Sequence, residues 1–504
     1  MEKIRVLQTG SRNLKTEYRI SDMAEWIYLP SMKSQKIPSK LYDIAIIDST
    51  PDEEELDYIE KTVNPYTLFI TSRVELRGKF IGLYTRRFGK RIEESELGEF
   101  LLKDIELFFS NGYGEKFRFK NLAVSSNYKG SVKYTGNNKL ILNGDYGERL
   151  GQIAFWRNNI PVKKKQLIDL WLEYDKDPGV EIALQVTMFA TGSISRVLKK
   201  WEFSEEELEE VVYIENNIAN GNIFISLLAK GSGRLEIIAL NDRYSRGKYG
   251  YFIPGGERHV TSSKEEAFFF FDPGDMKPPL NIYFSGYKTM QSFEGYYFIK
   301  KMGCPFLLIT EPRIEGGSFY MGDEEYESMI VSSIKGYIKK LRFTEKDVIM
   351  SGLSMGTYGA MYYGCDIRPY AVIIGKPLAS IGNVALNERL YRPGGFPTSL
   401  DVLMKIEGSC DDEAIERLNR KFWDKFEAAD WSHTRFVISY MVEDDYDLTA
   451  YRDILSHLDD TGVEVYGKGL HGRHNDNTRG IVSWFSSQYK KIIDEDFGRG
   501  ISQG

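Results

Sequence analysis

The pattern of hydrophobic and polar positions divides the chain into three stretches, and the first alternates apolar runs with an acidic amphipathic segment. Residues 42–48 and 66–71 are short apolar runs with the length of buried strands. Residues 51–61, between them, begin with a proline and several carboxylates, which is typical of a first helical turn. Strand, helix and strand at this spacing indicate a βαβ unit. Residues 1–112 are therefore predicted to form a small α/β unit with a scaffold or docking role.

The second stretch, residues 113–265, alternates apolar and polar positions over short segments. The best strand candidates are residues 140–142, 180–186, 223–227 and 235–240. The turn signals between such segments are Asn143-Gly144, Asp177-Pro178-Gly179 and Asn220-Gly221. Closely spaced short strands predict an all-β sandwich or jelly roll.

Sandwiches of this kind can bind carbohydrate on exposed aromatic rings, and three tryptophans lie in the second stretch. They are Trp156, Trp171 and Trp201. We weigh core packing as the favoured use of these rings and sugar stacking as the alternative, because the sequence does not reveal which face they occupy.

In the third stretch, residues 266–504, strands and helices alternate. The predicted strands are residues 281–285, 305–310, 347–351, 371–375 and 436–441, and the clearest helices are residues 324–341 and 411–429. This alternation predicts a mostly parallel, doubly wound sheet.

A short glycine motif supplies the strongest chemical signal of the third stretch. Gly352-Leu353-Ser354-Met355-Gly356 fits the pattern G-x-S-x-G. An apolar strand leads into the motif and a predicted helix follows, which is the setting of a nucleophile elbow in an α/β-hydrolase. Ser354 is therefore predicted to be a nucleophile, and it needs a base to remove its proton.

In the α/β-hydrolase fold the acid and then the histidine follow the serine along the chain. The acid is expected directly after the strand at 436–441, where four carboxylates stand close together. Asp444 is the first choice, and the alternatives are Glu443, Asp445 and Asp447.

Only five histidines are present, which narrows the choice of base. The base should lie between the last strand and the last helix, and His471 and His474 both do. His474 is favoured because it is closer to the terminal helix, and His471 is the alternative.

An oxyanion hole needs two N–H donors, and both can come from the backbone. The first is expected from Met355, the residue after the nucleophile. The second is expected from the loop after the strand at 281–284, where Tyr287 is preferred over Gly286.

Composition excludes several other classes of protein. With 66 basic and 73 acidic side chains, the chain lacks the basic field of a nucleic-acid-binding protein, and its 13% aromatic content argues against disorder. The three cysteines are too scattered for a disulfide framework or a zinc site. No apolar run approaches the ~20 residues of a membrane span, and no signal peptide is evident. We therefore expect a cytoplasmic protein with no integral membrane segment, no metal and no bound cofactor.

Several segments resemble the second accessory secretory protein family of the Gram-positive accessory Sec system. They are residues 272–281, 283–287, 351–357, 374–378 and 396–401. The resemblance is most specific over about 240–480 and extends more loosely to the N-terminus. It implies a cytoplasmic protein of streptococci and their relatives, with a peripheral position at the membrane translocon as a further option. The implied partners are other accessory secretory proteins, an accessory SecA motor and a glycosylated serine-rich repeat adhesin as cargo.

The resemblance also implies O-acetylation of N-acetylglucosamine on that cargo through a serine, acid and histidine triad. By position, the serine is Ser354, the histidine is His474 and the acid lies within residues 443–447. The sequence does not identify the acyl donor. The alternatives are a non-catalytic adaptor or chaperone that links glycosylated cargo to the accessory Sec motor, and a stand-alone carbohydrate esterase.

Overall fold

The computed structural model describes residues 3–193, 195–459 and 462–500, and its first sheet is entirely parallel. Its strands, in the spatial order β2-β1-β3-β4-β5, are β1 (Ile4–Thr9), β2 (Ala24–Leu29), β3 (Ile44–Ile47), β4 (Leu68–Thr71) and β5 (Lys90–Ile92). The helices are α1 (Leu14–Glu17), α2 (Glu53–Thr62), α3 (Lys79–Arg86) and α4 (Glu94–Leu102). Helix α2 begins with a capping box, in which Asp52 accepts from the Glu55 N–H and Glu55 from the Asp52 N–H, each at 3.1 Å. The predicted α/β unit is confirmed.

The second sheet is antiparallel and is folded into two layers around one apolar core. Its strands are β6 (Gly114–Lys116), β7 (Leu122–Val124), β8 (Ser131–Thr135), β9 (Lys139–Trp156), β10 (Ile160–Val162), β11 (Gln166–Lys176), β12 (Val180–Ala190), β13 (Val197–Ser204), β14 (Val212–Asn216) and β15 (Gly221–Tyr244). The first half of β15 pairs with β12 and the second half with β11. The change of partner follows Gly231, whose φ of +89° and close approach to the Gly179 carbonyl leave no room for a side chain. The strand thereby passes from one layer to the other, and the predicted β-sandwich is confirmed.

One predicted turn in this region lies inside a strand of the fold. Asn143-Gly144 is not a turn, because both residues lie inside β9 and pair with β15. A Cβ on Gly144 would come within 2.8 Å of Gly130, so the glycine serves a close approach of two backbone segments. Pairing on both sides of the strand overrides the local turn preference.

The tryptophans of the sandwich are used for packing, which is the use favoured from the sequence. Trp156 and Trp171 are buried, and Trp201 packs against the same core with the Lys199 ammonium 4.6 Å from its ring centre. Neither buried ring offers a face to a sugar.

The third sheet has eight strands in the order β16-β17-β19-β18-β20-β21-β22-β23. They are β16 (Glu257–Val260), β17 (Glu266–Asp272), β18 (Leu280–Phe284), β19 (Phe306–Thr310), β20 (Val348–Leu353), β21 (Ala371–Gly375), β22 (Arg435–Met441) and β23 (Val465–Leu470). The helices are α5 (Tyr296–Lys300), α6 (Glu324–Leu341), α7 (Met355–Ile367), α8 (Ile381–Leu390), α9 (Thr398–Glu407), α10 (Asp412–Ala428), α11 (Ala450–Leu458) and α12 (Thr478–Glu495). Strand β17 is antiparallel to both of its neighbours, whereas β18 to β23 are mutually parallel. A mainly parallel sheet whose fifth strand leads through a G-x-S-x-G turn into a helix is the predicted α/β-hydrolase fold.

The division into domains at 1–112, 113–265 and 266–504 stays a prediction. The three sheets follow these stretches except for β16, which lies before residue 266 and pairs with β17. No helix within the described ranges is both long and apolar enough to cross a membrane.

A buried ionic cluster joins the sandwich to the third sheet. Arg243 on β15 makes two hydrogen bonds to Glu266 on β17, at 2.9 and 2.5 Å, and both side chains are essentially inaccessible to solvent. Arg258 on β16 also donates to Glu266, and its guanidinium lies 4.1 Å from the Trp171 ring centre. One carboxylate therefore neutralises two buried guanidinium groups.

We predict that Glu266→Gln destabilises the protein by about 3–5 kcal/mol, because it leaves two buried cations without a counter-charge. Urea or thermal unfolding of the full chain measures the change. The control is Glu53→Gln, which removes a 2.9 Å ion pair to Lys79 between two largely exposed side chains. The control should leave the unfolding midpoint unchanged, and equal effects of the two substitutions would contradict the prediction.

Candidate active site

The turn between β20 and α7 presents Ser354 in a strained conformation. Ser354 has φ +52° and ψ −121°, and its N–H donates to the Gly375 carbonyl at 2.8 Å. A Cβ on Gly352 would lie 2.3 Å from the Gly356 carbonyl oxygen, and one on Gly356 would lie 2.1 Å from the Phe284 carbonyl oxygen. Both motif glycines are therefore required by close backbone packing, and the strain of ~1–3 kcal/mol is characteristic of functional turns.

Ser354, His474 and Asp444 form one line of hydrogen bonds. Ser354 Oγ lies 2.8 Å from His474 Nε2, and His474 Nδ1 lies 2.8 Å from Asp444 Oδ2. Because an ionised carboxylate can only accept, Nδ1 carries the proton and Nε2 accepts from the serine hydroxyl. The histidine side chain is 1% exposed, so this arrangement is shielded from water. It is the geometry in which a histidine can remove a proton from a serine.

Asp445, an alternative acid, supports the histidine from its backbone side. Its Oδ1 accepts the His474 N–H at 3.0 Å, and its Oδ2 forms a 2.8 Å ion pair with Arg392. Asp444 uses its second oxygen to accept the Tyr446 N–H at 2.9 Å. Among the four candidate acids, Asp444 is the one that contacts the His474 imidazole.

Asp447, another alternative, is buried and anchors a neighbouring loop. One of its oxygens accepts the N–H groups of Ala379 and Ser380, each at 2.8 Å. Burial raises the pKa of Asp447 to about 6, although these two hydrogen bonds oppose the shift.

Glu443 and His471, the remaining alternatives, form a separate surface pair 2.9 Å apart. The His471 side chain is 88% exposed and has no contact with Ser354. Hydrogen bonds from the Gly472 N–H and from His471 hold the pKa of Glu443 below its usual range. This second acid–histidine pair provides a matched control for the buried one.

An aromatic stack covers the histidine, and no local sequence signal had indicated it. The Tyr446 ring lies 4.3 Å from the His474 ring centre at an interplanar angle of 20°. Phe396 stacks on Tyr446 at 5.2 Å, and the Arg392 guanidinium lies 4.6 Å from the same tyrosine. Glu388 holds the loop that carries Phe396 by accepting backbone N–H groups of the loop, at 2.5 Å from Gly394 and 2.6 Å from Phe396. The imidazole is thereby held in one orientation.

The two preferred oxyanion donors are free to receive a ligand atom. Among the described residues, the N–H groups of Met355 and Tyr287 donate to no other protein atom. The Gly286 N–H, in contrast, donates to the Glu294 carboxylate at 2.6 Å, which disfavours the alternative donor. A Cβ on Gly316 would lie 2.1 Å from the Tyr287 ring, so the glycine accommodates that side chain.

A buried lysine beside the site had not been assigned a chemical role from sequence. Lys376 is 5% exposed, and its Nζ donates to the Thr478 hydroxyl at 3.2 Å. Burial lowers the pKa of Lys376, and the negative charges of Asp444 and Glu294 oppose that shift. Within the described ranges, no group of three or more His, Cys, Asp or Glu side chains is arranged to hold a metal ion.

We predict that Asp444→Asn slows labelling of Ser354 by a fluorophosphonate by about 10²–10⁴-fold, because the amide no longer fixes the imidazole tautomer. The second-order labelling rate constant measures this effect. Glu443→Gln and His471→Gln should each leave that rate constant within about two-fold, since surface changes away from the site have little effect. A large loss in these controls with no loss in Asp444→Asn would assign the chemistry to the surface pair instead.

Comparisons with known proteins cover almost the entire chain. A family model described as an accessory Sec system GspB-transporter matches residues 4–499. An accessory Sec system protein of Streptococcus gordonii is 36% identical over 506 residues, which cover 99% of both chains. A second, from Staphylococcus aureus, is 42% identical over 391 residues, which cover 78% of this chain and 75% of the relative.

A solved structure extends the similarity to three dimensions. The Glycosylation Associate Protein (Gap123) complex from Streptococcus agalactiae contains a chain that superposes with a TM-score of 0.89, at 34% identity and over 99% of both chains. These matches confirm the resemblance seen in the sequence. The chain belongs to the accessory Sec system GspB-transporter family, that of the second accessory secretory proteins.

Proposed function

We propose that this protein supports export of a serine-rich repeat glycoprotein and O-acetylates N-acetylglucosamine residues of that cargo. The observation that carries the catalytic part is the continuous hydrogen-bonded line from Ser354 through His474 to Asp444. A vestigial site would have no need to retain a strained serine, a buried histidine and an oriented carboxylate together.

The chemistry proceeds in two acyl transfers. Ser354 Oγ attacks the carbonyl carbon of an acyl donor as His474 takes the hydroxyl proton, and the N–H groups of Met355 and Tyr287 stabilise the oxyanion. The bond to the leaving group breaks, and His474 returns its proton to that group. A sugar hydroxyl then attacks the acyl-enzyme, gives its proton to His474 and leaves as the ester, after which the proton returns to Ser354.

Hydrolysis is the side reaction of this scheme, because water can replace the sugar hydroxyl at the acyl-enzyme. A stand-alone carbohydrate esterase would use the same groups and differ only in the acceptor. The acyl donor is left open by this proposal, and the expectation of no bound cofactor stays a prediction.

Family membership supports the transport part of the proposal. The relative from Streptococcus agalactiae is part of a complex, which favours other accessory secretory proteins as partners of this chain. We propose the accessory SecA motor and the glycosylated cargo as further partners and the cytoplasm as the location. An adaptor role is compatible with catalysis, because docking surfaces and a buried catalytic site can occupy different parts of one fold.

We predict that Ser354→Ala abolishes fluorophosphonate labelling of the purified protein and acetylation of the cargo glycan in cells, while cargo export continues. In this scheme the acyl group is carried on Ser354 Oγ, so an alanine at this position cannot form the acyl-enzyme. Transport, in contrast, depends on docking. Gel fluorescence measures labelling, mass spectrometry of cargo glycans measures acetylation, and cell-surface cargo measures export.

The matched control is Ser332→Ala, which removes an exposed hydroxyl on α6 and should change none of the three measurements. Acetylation that persists in the Ser354→Ala strain would refute the catalytic proposal. Loss of export with acetylation intact would favour the adaptor role alone.

A further inference from the structure

The loop that carries the second oxyanion donor is held by few backbone hydrogen bonds. It runs from Ser285, after β18, to the start of α5, and Tyr287 lies near its beginning. The Ser285 N–H donates to the Ile309 carbonyl at 3.0 Å, and the Lys288 N–H donates to the Gly316 carbonyl at a longer 3.3 Å. Neither contact alone fixes the loop beyond Lys288.

The loop borders a cavity on its sandwich side, although the Tyr287 ring itself packs on Phe396 with 5.4 Å between the ring centres. The cavity, of about 230 Å³, lies between part of the loop and residues 115–119 of the sandwich. Gly286, Lys288 and Gln291 line one wall, and Glu115 and Phe117 line the other. Because an empty space forfeits the contacts that would resist movement, polar contacts at the edge of the cavity resist displacement of the loop on this side. They add to the contact within the loop from the Gly286 N–H to Glu294 at 2.6 Å.

Gln291 supplies these polar contacts, and all of them are to the sandwich. Its N–H donates to the Gly114 carbonyl at 2.8 Å. Its side-chain Oε1 accepts from Arg243 Nε at 2.8 Å, and its Nε2 donates to Asn241 Oδ1 at 2.6 Å. Gln291 is 6% exposed, so each of these groups would be costly to leave unpaired.

The partners of Gln291 are themselves held in place. Arg243 is fixed by its paired hydrogen bonds to Glu266, and Asn241 donates to Glu173 at 3.1 Å. The preceding residue, Met290, forms an isolated antiparallel bridge with Glu115 on β6. The middle of the loop is thus attached to a buried polar network that joins the sandwich to the third sheet.

We propose that Gln291 is a positioning residue for the oxyanion hole, through which the β-sandwich sets the location of the Tyr287 N–H. This inference rests on the proposed function, since it assigns Tyr287 as an oxyanion donor. Hydrogen bonds weaken steeply with distance and angle, so a small displacement of the loop weakens the stabilisation of the oxyanion. The sandwich is then part of the catalytic apparatus as well as a neighbouring domain.

The test is the pre-steady-state burst of p-nitrophenyl acetate hydrolysis by the full-length protein. Burst amplitude counts correctly folded active sites, and burst rate reports how well each site stabilises the acylation transition state. We expect Gln291→Met to lower the burst rate by about 10- to 100-fold with an unchanged amplitude, somewhat less than complete loss of an oxyanion donor (~10²–10³-fold). The substrate dissociation constant, obtained from the dependence of the burst rate on substrate concentration, should change by less than about three-fold, because the loop acts on the transition state.

A second variant, Gly114→Ala, disturbs the contact with Gln291 by a change in the sandwich. A Cβ on Gly114 would lie 2.9 Å from Arg243 Cγ and 3.0 Å from Gln291 Oε1, and Gly114 does not have a positive φ that would add backbone strain. Gly114→Ala should therefore lower the burst rate as well. The control is Gln152→Leu, which removes an exposed glutamine hydrogen bond to Ser226 in the same sandwich and should leave the burst unchanged.

The outcomes separate this inference from the proposed function. A wild-type protein with neither a Ser354-dependent burst nor Ser354-dependent fluorophosphonate labelling would overturn both. A normal wild-type burst with unchanged burst rates in Gln291→Met and Gly114→Ala would overturn the positioning role alone. A reduced amplitude at an unchanged rate would also overturn it, because Gln291 would then be a structural contact only.

Discussion

The parallel pairing of β20, β22 and β23 in one sheet is the constraint on which the site depends. Parallel strands end at the same edge, so the loops after them meet although 120 residues separate Ser354 from His474 and 30 separate Asp444 from His474. The sheet thereby brings together three groups that the chain keeps far apart. Because β21 lies between β20 and β22, the Gly375 carbonyl at its end is also available to anchor the Ser354 N–H.

The buried polar groups of the site form hydrogen bonds and ion pairs with one another, which replace the hydrogen bonds that water would supply. Asp445 satisfies the His474 N–H and the Arg392 guanidinium, and Asp447 satisfies two backbone N–H groups of the loop after β21. Such groups are expensive to desolvate unless each has a partner. In the acidic segment after β22, Asp444, Asp445 and Asp447 therefore have three different sets of partners, and only Asp444 faces the imidazole.

Local sequence predicts those features that are determined locally. The elbow could be found because its two glycines are required by backbone packing at Ser354. The βαβ unit could be found because a segment that begins with a proline and several carboxylates lies between two apolar runs. The choice among the carboxylates at 443–447 could not be derived in this way, since it depends on the direction of each side chain relative to a histidine from another loop. The Asn143-Gly144 turn was a wrong prediction for a related reason: strand pairing across the sandwich outweighs the preference of a dipeptide. Tyr446 and Gln291 were missed because their side-chain contacts are tertiary.

The interface between sandwich and hydrolase fold differs from a simple domain boundary. Its centre is a desolvated ionic cluster of Arg243, Glu266 and Arg258, and such a cluster is tolerated only while every charge keeps its partner. Arg243 donates its Nε–H to Gln291, so the same guanidinium that joins the sheets also reaches the loop carrying Tyr287. If the hydrolase region were separated from the sandwich, Glu266 would lose its hydrogen bonds to Arg243. The loop that carries Tyr287 would lose its contact with Arg243 at the same time. One buried side chain thus contacts both the carboxylate at the centre of the interface and the loop that carries Tyr287.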